Sequence, residues 1–178
     1  IPGNETVTWR RLRRRMISST MQSMLDQPVP DFALPATGNQ TFSLSQARGT
    51  VLALYFYPKD NTPGCTTEAG EFRDLHAQFL RAGCAVYGIS RDSMKSHEGF
   101  KARLKLPFEL LSDTEEAACA LFGVIRQKLL YGKPVRGIER STFVIDADGV
   151  LRREWRGVKA PGHAAEILEF VKSLQGKK

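Results

Sequence analysis

Val51-Leu52-Ala53-Leu54-Tyr55-Phe56-Tyr57, running on into Pro58-Lys59-Asp60-Asn61-Thr62-Pro63-Gly64-Cys65, is the stretch whose reading decides the fold. Its first half is an unbroken apolar and aromatic run, the pattern of a strand covered on both faces. Beyond it, Phe72, Leu75, Phe79 and Leu80 recur at helical spacing, so an amphipathic helix begins close to Cys65. The cysteine therefore falls in a first helical turn, where unpaired backbone N–H groups and the positive end of the helix dipole favour an anion. A thiolate is stabilised in such a place, which makes Cys65 a candidate nucleophile. Pro63 and Gly64 shape the turn, and Thr62, three residues before the sulfur, offers a hydroxyl that could hydrogen-bond the thiolate or an oxygen bound beside it. A structural cysteine buried in a tight turn has the same local pattern, so the choice needs the rest of the chain.

Upstream, Asp31-Phe32-Ala33-Leu34 and Thr41-Phe42-Ser43-Leu44 are short alternating runs either side of residues 36–40, which predicts a two-stranded hairpin. Downstream, Arg81-Ala82-Gly83 closes the helix and Ala85-Val86-Tyr87-Gly88-Ile89-Ser90 reads as a second buried strand. Strand, helix and strand in succession imply a parallel pair with a right-handed crossover. Asp92 or Ser93 then caps a helix marked by Met94, His97, Phe100 and Leu104, Phe108 to Leu111 reads as a short strand, and Thr114 to Phe122 as a short helix. Residues 123–139 form one long connection carrying Arg126, Lys128, Lys133 and Arg136, read as a basic loop that is either solvated or borders a substrate or partner surface. Ser141 to Ile145 and Val150 to Arg156 flank a turn at residues 146–149 and make a second hairpin, and Pro161 starts a last helix with Ile167, Leu168, Val171 and Leu174 inward. These elements add up to an α/β fold, a mixed β-sheet flanked by helices with an N-terminal β-hairpin extension, in one domain over residues 21–178.

With 42% hydrophobic and 25% charged residues in 178, the chain has the composition of a globular protein with a sizeable core and not that of a disordered one. No apolar run approaches the length of a membrane span and the first residues lack the apolar centre of a secretory signal, so no membrane association and a cytoplasmic location are expected. Three cysteines at uneven spacing make no disulfide framework and fit a reducing compartment. The net charge of +7 invites a nucleic-acid reading until it is located. Residues 1–20 hold Arg10, Arg11, Arg13, Arg14 and Arg15 against Glu5, a charge of +4 that leaves +3 for everything after. This tail is expected to be disordered: an appended or upstream translated segment with the native start at Met16, Met21 or Met24, or an arginine-rich targeting peptide. Binding of nucleic acid would rest on it alone.

Pro58-x-x-x-Thr62-x-x-Cys65, inside YFYPKDNTPGCTTEA, resembles the active-site signature of the peroxiredoxins, and its flanks resemble the subfamily called bacterioferritin comigratory protein or Q-type peroxiredoxin. The resemblance runs from about Leu25 to the C-terminus, through Phe32-Ala33-Leu34-Pro35, Gly88-Ile89-Ser90 and Arg140-Ser141-Thr142-Phe143-Val144-Ile145-Asp146. It implies a thioredoxin-like fold and a thiol-dependent peroxidase that reduces hydrogen peroxide and organic hydroperoxides through a cysteine sulfenic acid. By the same resemblance Cys65 is the peroxidatic cysteine, Pro58 shields the pocket, Thr62 hydrogen-bonds the peroxide and Arg140 completes the site. No metal or organic cofactor is implied, and the reductant would be thioredoxin, glutaredoxin or a small-molecule thiol, acting on a monomer or weak dimer.

The remaining polar residues read as bystanders. His76 lies eleven residues along the Cys65 helix, about 16 Å away at the usual rise, and cannot act as its base. His97 and His163 fall on other helices as surface or packing residues, Lys59 and Asp60 as solvent-facing loop charges, and Glu68 as a first-turn residue favourable to the helix dipole and close enough to tune Arg140. In the subfamily a resolving cysteine stands either five residues after the peroxidatic one, where this chain has Gly70, or on the following helix near Lys101. Cys84 is expected about 25 Å from Cys65, at the opposite edge of the sheet. Cys119 is expected nearer the correct edge, though Ala117, Ala118, Leu121 and Phe122 suggest burial, so a one-cysteine mechanism and a Cys65–Cys119 disulfide both stand. A thioredoxin-type dithiol reductase is excluded, because Cys65 is followed by Thr66-Thr67-Glu68 and no Cys-x-x-Cys exists.

Overall fold

The computed structural model describes residues 24–175, so the arginine-rich segment at positions 1–20 and the expectations attached to it lie outside the described residues. The order of elements is β1 (Ala33–Ala36), β2 (Gln40–Ser43), β3 (Val51–Phe56), α1 (Pro63–Arg81), β4 (Cys84–Ser90), α2 (Met94–Leu104) and β5 (Leu110–Ser112). There follow α3 (Ala117–Phe122), β6 (Ile125–Leu130), β7 (Lys133–Ile138), β8 (Ser141–Ile145), β9 (Leu151–Arg156) and α4 (His163–Gln175).

Seven strands form one sheet in the order β2-β1-β5-β4-β3-β8-β9. The strands β3, β4 and β5 are parallel, and β8, β9, β1 and β2 continue the sheet antiparallel on either side. The mixed sheet and the N-terminal hairpin extension are thus as predicted, the hairpin joining the sheet through Ala36 opposite Leu111. The central position of β3 follows from its composition, since only a strand with apolar side chains on both faces can be covered on both. Along β3, Ala53, Tyr55 and Tyr57 enter the core under α1, α2 and α4, while Leu52, Leu54 and Phe56 enter a second core under α3 and the hairpin. In α1, Cys65, Glu68, Ala69, Phe72 and Phe79 make the buried stripe, and the Phe72 ring stacks on Tyr55 with centroids 4.6 Å apart.

The connection at residues 123–139 is a β-hairpin, and this corrects its reading as a loop. Tyr131 and Gly132 both have positive φ, +52° and +77°, and close a two-residue turn of the kind that matches strand twist. Leu129, Leu130, Tyr131 and Val135 are exposed on it. Only the paired residues Ile125 and Ile138 at the base of the hairpin pack on the core, so the strands lack the alternation by which a strand is recognised. The other differences are of a few residues: β5 is shifted to Leu110–Ser112, α3 starts at Ala117 and α4 at His163. No helix among the described residues is long and apolar enough to cross a membrane.

Candidate active site

The site is assembled where β3 ends. The chain leaves the strand into loop 57–62, turns at Asn61 with φ +64°, and enters α1 at Pro63, whose missing N–H costs nothing in a first turn. Thr62 is the N-cap residue. Cys65 is therefore the third residue of α1, in the first turn as predicted, and it is 1% exposed.

Arg140 lies between β7 and β8 and reaches across to the helix. Its Nη2 is 3.5 Å from Cys65 Sγ, and its Nη1 donates to Glu68 Oε1 at 2.7 Å. Gly64 makes the approach feasible, since a Cβ there would lie 2.9 Å from Arg140 Nη2. Glu68 stands one turn after Cys65 on the same helix face, fully buried, so the sulfur and the carboxylate share one guanidinium. Burial pushes the Glu68 carboxyl up to about 7, against the opposing pull of Arg140. For Arg140, burial acts to lower the pKa, but Glu68 and Cys65 outweigh it, so the guanidinium keeps its proton. Glu68 Oε2 and the Tyr55 hydroxyl are buried without a hydrogen-bond partner among the described residues. Burial, with the negative charge of Glu68 and Cys65 beside it, holds that hydroxyl well above its ordinary value and therefore neutral.

The residues expected at the site are not all oriented as expected. The Thr62 hydroxyl donates to the Lys59 carbonyl at 2.9 Å, so its proton supports the turn and is not aimed at the sulfur. Pro58 is exposed in the loop. Asp60, read as a solvent-facing charge, is only 4% exposed and is bonded to Tyr57, Ser96 and His97. His97 and His163 are both buried, the second bonded to Thr142 Oγ1 and pushed down to about 4 by burial. Asp60, Asp92 and His97 place ligand-type atoms within 4.8 Å of one another, but those atoms are committed to protein partners, so the cluster reads as a structural anchor and not as a metal centre. Glu68 is the partner that sequence reasoning undervalued; its place three residues after the cysteine was the available signal.

The other two cysteines stand apart. Cys84 opens β4 opposite Val51, at the far end of β3 from the loop, about 20 Å away for six residues of strand. Burial raises its thiol to about 12. Cys119 lies in the first turn of the helix after β5, which runs parallel to β3, so it stands at the same edge of the sheet as Cys65, as expected, but it belongs to the core on the opposite face. Lys101, at the other resolving position, is held by both carboxylate oxygens of Glu109 at 2.8 Å.

A sulfur at a helix start, under a guanidinium that also grips a buried carboxylate, can attack a polarisable O–O bond and have the departing negative charge stabilised. On this sheet, that is chemistry a thiol peroxidase requires. The chain belongs to the AhpC/TSA family, whose pattern matches residues 25–154, and within it to the peroxiredoxins of the bacterioferritin comigratory protein or Q type. The curated Peroxiredoxin Bcp of Xanthomonas campestris is 46% identical over 154 residues, which is 85% of this chain and 96% of that one. Peroxiredoxin Bcp of Bacillus subtilis is 45% identical over 153 residues, 86% of this chain and 98% of its own. A solved structure of the Xanthomonas campestris bacterioferritin comigratory protein, a protein with alkyl peroxide reduction activity, superposes with a TM-score of 0.77 at 45% identity, covering 80% of this chain and 91% of that one. The chain is accordingly a thiol peroxidase that acts on peroxides with a thiol reductant.

Proposed function

We propose that Cys65 is the peroxidatic cysteine and that it works without a resolving partner in its own chain. The observation that carries this reading is the Arg140 guanidinium 3.5 Å from Cys65 Sγ in the first turn of α1. The thiolate attacks the distal oxygen of hydrogen peroxide or an organic hydroperoxide, the O–O bond breaks, and water or alcohol leaves with a proton while sulfur becomes sulfenic acid. Arg140 and the first N–H groups of α1 stabilise the charge that develops on the leaving oxygen. Glu68 orients Arg140, Pro58 shields the loop side of the pocket, and Thr62, whose hydroxyl oxygen retains accepting capacity, contacts the bound peroxide. An external thiol, from thioredoxin, glutaredoxin or a small molecule, then condenses with the sulfenic acid to a mixed disulfide with loss of water, and a second thiol releases Cys65. In support of this, Cys84 lies at the wrong end of β3 and Cys119 beyond the sheet. A monomer or weak dimer in the cytoplasm fits three cysteines that are all unpaired and buried.

The test is stoichiometric peroxide without reductant, followed by intact mass. One added oxygen is expected on Cys65, advancing to two with excess peroxide. A loss of two hydrogens that disappears in Cys119→Ser would establish an internal disulfide and overturn the one-cysteine mechanism. Thr62→Val should slow oxidation with little change in Tm, and an unchanged rate removes Thr62 from the site.

A further inference from the structure

Beside the Cys65 loop lies a buried polar cluster that the chemistry above does not use. Asp60, in loop 57–62, and His97, in the first turn of α2, are 4% and 0% exposed. The Asp60 carboxylate accepts three hydrogen bonds: from the Tyr57 hydroxyl to Oδ1 at 2.7 Å, and to Oδ2 from Ser96 Oγ and His97 Nδ1, both at 2.8 Å. Its backbone N–H donates to Asp92 Oδ2 at 3.0 Å, and Asp92 is held in turn by the Ser90 hydroxyl. The other ring nitrogen of His97, Nε2, stands 2.9 Å from the carbonyl oxygen of Leu111 on β5.

Donor and acceptor accounting sets the charge of the ring. A carbonyl oxygen only accepts, so Nε2 carries a hydrogen. Burial acts to raise the Asp60 carboxyl, but the hydrogen bonds from His97 and Tyr57 outweigh it and keep the group a carboxylate. Burial drives the Tyr57 hydroxyl far above its ordinary value, so its one proton stays and points to Asp60. A carboxylate likewise only accepts, so Nδ1 carries a hydrogen too, shared with the Tyr57 oxygen at 3.3 Å. With both nitrogens protonated the ring is an imidazolium, and each group facing it, the Asp60 carboxylate, the Tyr57 oxygen and the Leu111 carbonyl, is an acceptor. A buried ion pair is a poor device for stability as such, and one that ties three elements together is better suited to holding a geometry. Here the elements are α2, β5 and the loop that ends at Thr62, the N-cap of the helix carrying the sulfur.

We propose that the Asp60–His97 ion pair is a positioning device for the peroxidase reaction: it pins loop 57–62, and through it the first turn of α1, where Cys65 lies under Arg140. Neither residue touches the sulfur, so both are positioning residues, acting through the backbone of Asn61, Thr62 and Pro63. The inference rests on Cys65 as the reacting thiol.

The experiment has two arms on the full chain. In protein labelled with 15N-histidine at neutral pH, His97 is expected to show two N–H signals with imidazolium shifts, converted to a neutral pattern in Asp60→Asn. One protonated and one bare ring nitrogen in the wild type overturns the ion pair. In stopped-flow oxidation of Cys65 by hydrogen peroxide, His97→Gln and Asp60→Asn should each slow the reaction by about ten- to a hundredfold, the scale of an ångström-level misplacement. The double variant should be no slower than the slower single, because the two act as one unit. His163→Gln, which removes a comparably buried histidine bonded to Thr142, should lower Tm and leave the rate within about twofold. Tyr57→Phe and Ser96→Ala, which each delete one donor to Asp60 and keep the pair, should give graded losses of a few-fold, and they decide the matter if His97→Gln does not fold. Wild-type rates in these variants overturn the positioning role. A wild type in which peroxide fails to oxidise Cys65 would break the underlying assignment, whereas normal wild-type oxidation with unaffected variants breaks only this one.

Discussion

Cys65 and Cys119 occupy the same local address. Each is the third residue of a helix that follows a strand, and each is almost fully buried, at 1% and 0% exposed. Their neighbours differ in sign. Cys65 Sγ is 3.5 Å from a guanidinium, whereas the N–H of Cys119 is taken by Asp113 Oδ2 at 2.7 Å, and burial, with that carboxylate added to it, drives the Cys119 thiol far up. A helix N-terminus contributes only a partial charge, so the full charge placed beside each sulfur, a guanidinium in one case and a carboxylate in the other, sets the two sites apart. The α3 helix also has only six residues, so its dipole is the weaker of the two.

The largest effect should come from exchanging the sulfurs themselves. Cys65→Ser is expected to abolish peroxide consumption in a thiol-coupled assay, while Cys119→Ser retains it; turnover surviving in the first variant would erase the distinction between the two sites. Next comes the guanidinium. Arg140→Ala should slow Cys65 oxidation by roughly a hundredfold, the usual cost of one transition-state donor, and should lower Tm as well, because it leaves Glu68 buried without its partner. Gly64→Ala, whose Cβ would lie 2.9 Å from Nη2, should reproduce part of that loss, and a wild-type rate in it would mean that Arg140 approaches by another path.

Glu68 gives a smaller, pH-dependent test. Its carboxyl rises from 4.5 to about 7 on folding, so the folded state binds the extra proton. That contribution to stability is fully present below about pH 4.5 and is lost as pH rises through about 7, on the order of 3 kcal/mol at about 1.4 kcal/mol per pH unit. His163 runs the other way: with its folded value lowered from 6.5 to about 4, its contribution is present above pH 6.5 and is lost as pH falls through 4. Urea melts of Glu68→Gln and His163→Gln between pH 4 and 8 should therefore flatten opposite slopes, and parallel profiles would show that burial of Glu68 is not setting its proton affinity. The smallest effect is at Cys119, where Asp113→Asn should speed alkylation only a few-fold in a Cys65→Ser, Cys84→Ser background, because access to a fully buried thiol is limited by opening of the fold. A large increase would make charge, and not burial, the main protection of that sulfur.

The sheet and its central strand were legible because the apolar run at residues 51–57 and the stripe of Phe72 and Phe79 are periodic signals that depend only on neighbours along the chain. The hairpin at residues 125–138 was not, since beyond Ile125 and Ile138 at its base it buries no face that would impose a period, and Tyr131-Gly132 is not among the usual turn pairs.

At the site, sequence by itself determined that a cysteine begins a helix after a buried strand, because strand pattern, Pro63 and helical spacing are all local. The tertiary structure alone decided which charge each thiol meets. Arg140 comes to Cys65 from 75 residues away, His97 comes to Asp60 from 37, and the sheet separates Cys119 from both. Asp60 looked like a surface charge because acidic loop residues are ordinarily solvated, and only the folded chain supplies the three donors that make its burial affordable. Electrostatic partners act through space over a few ångströms, and no periodicity in the chain records which distant segment will fill that space.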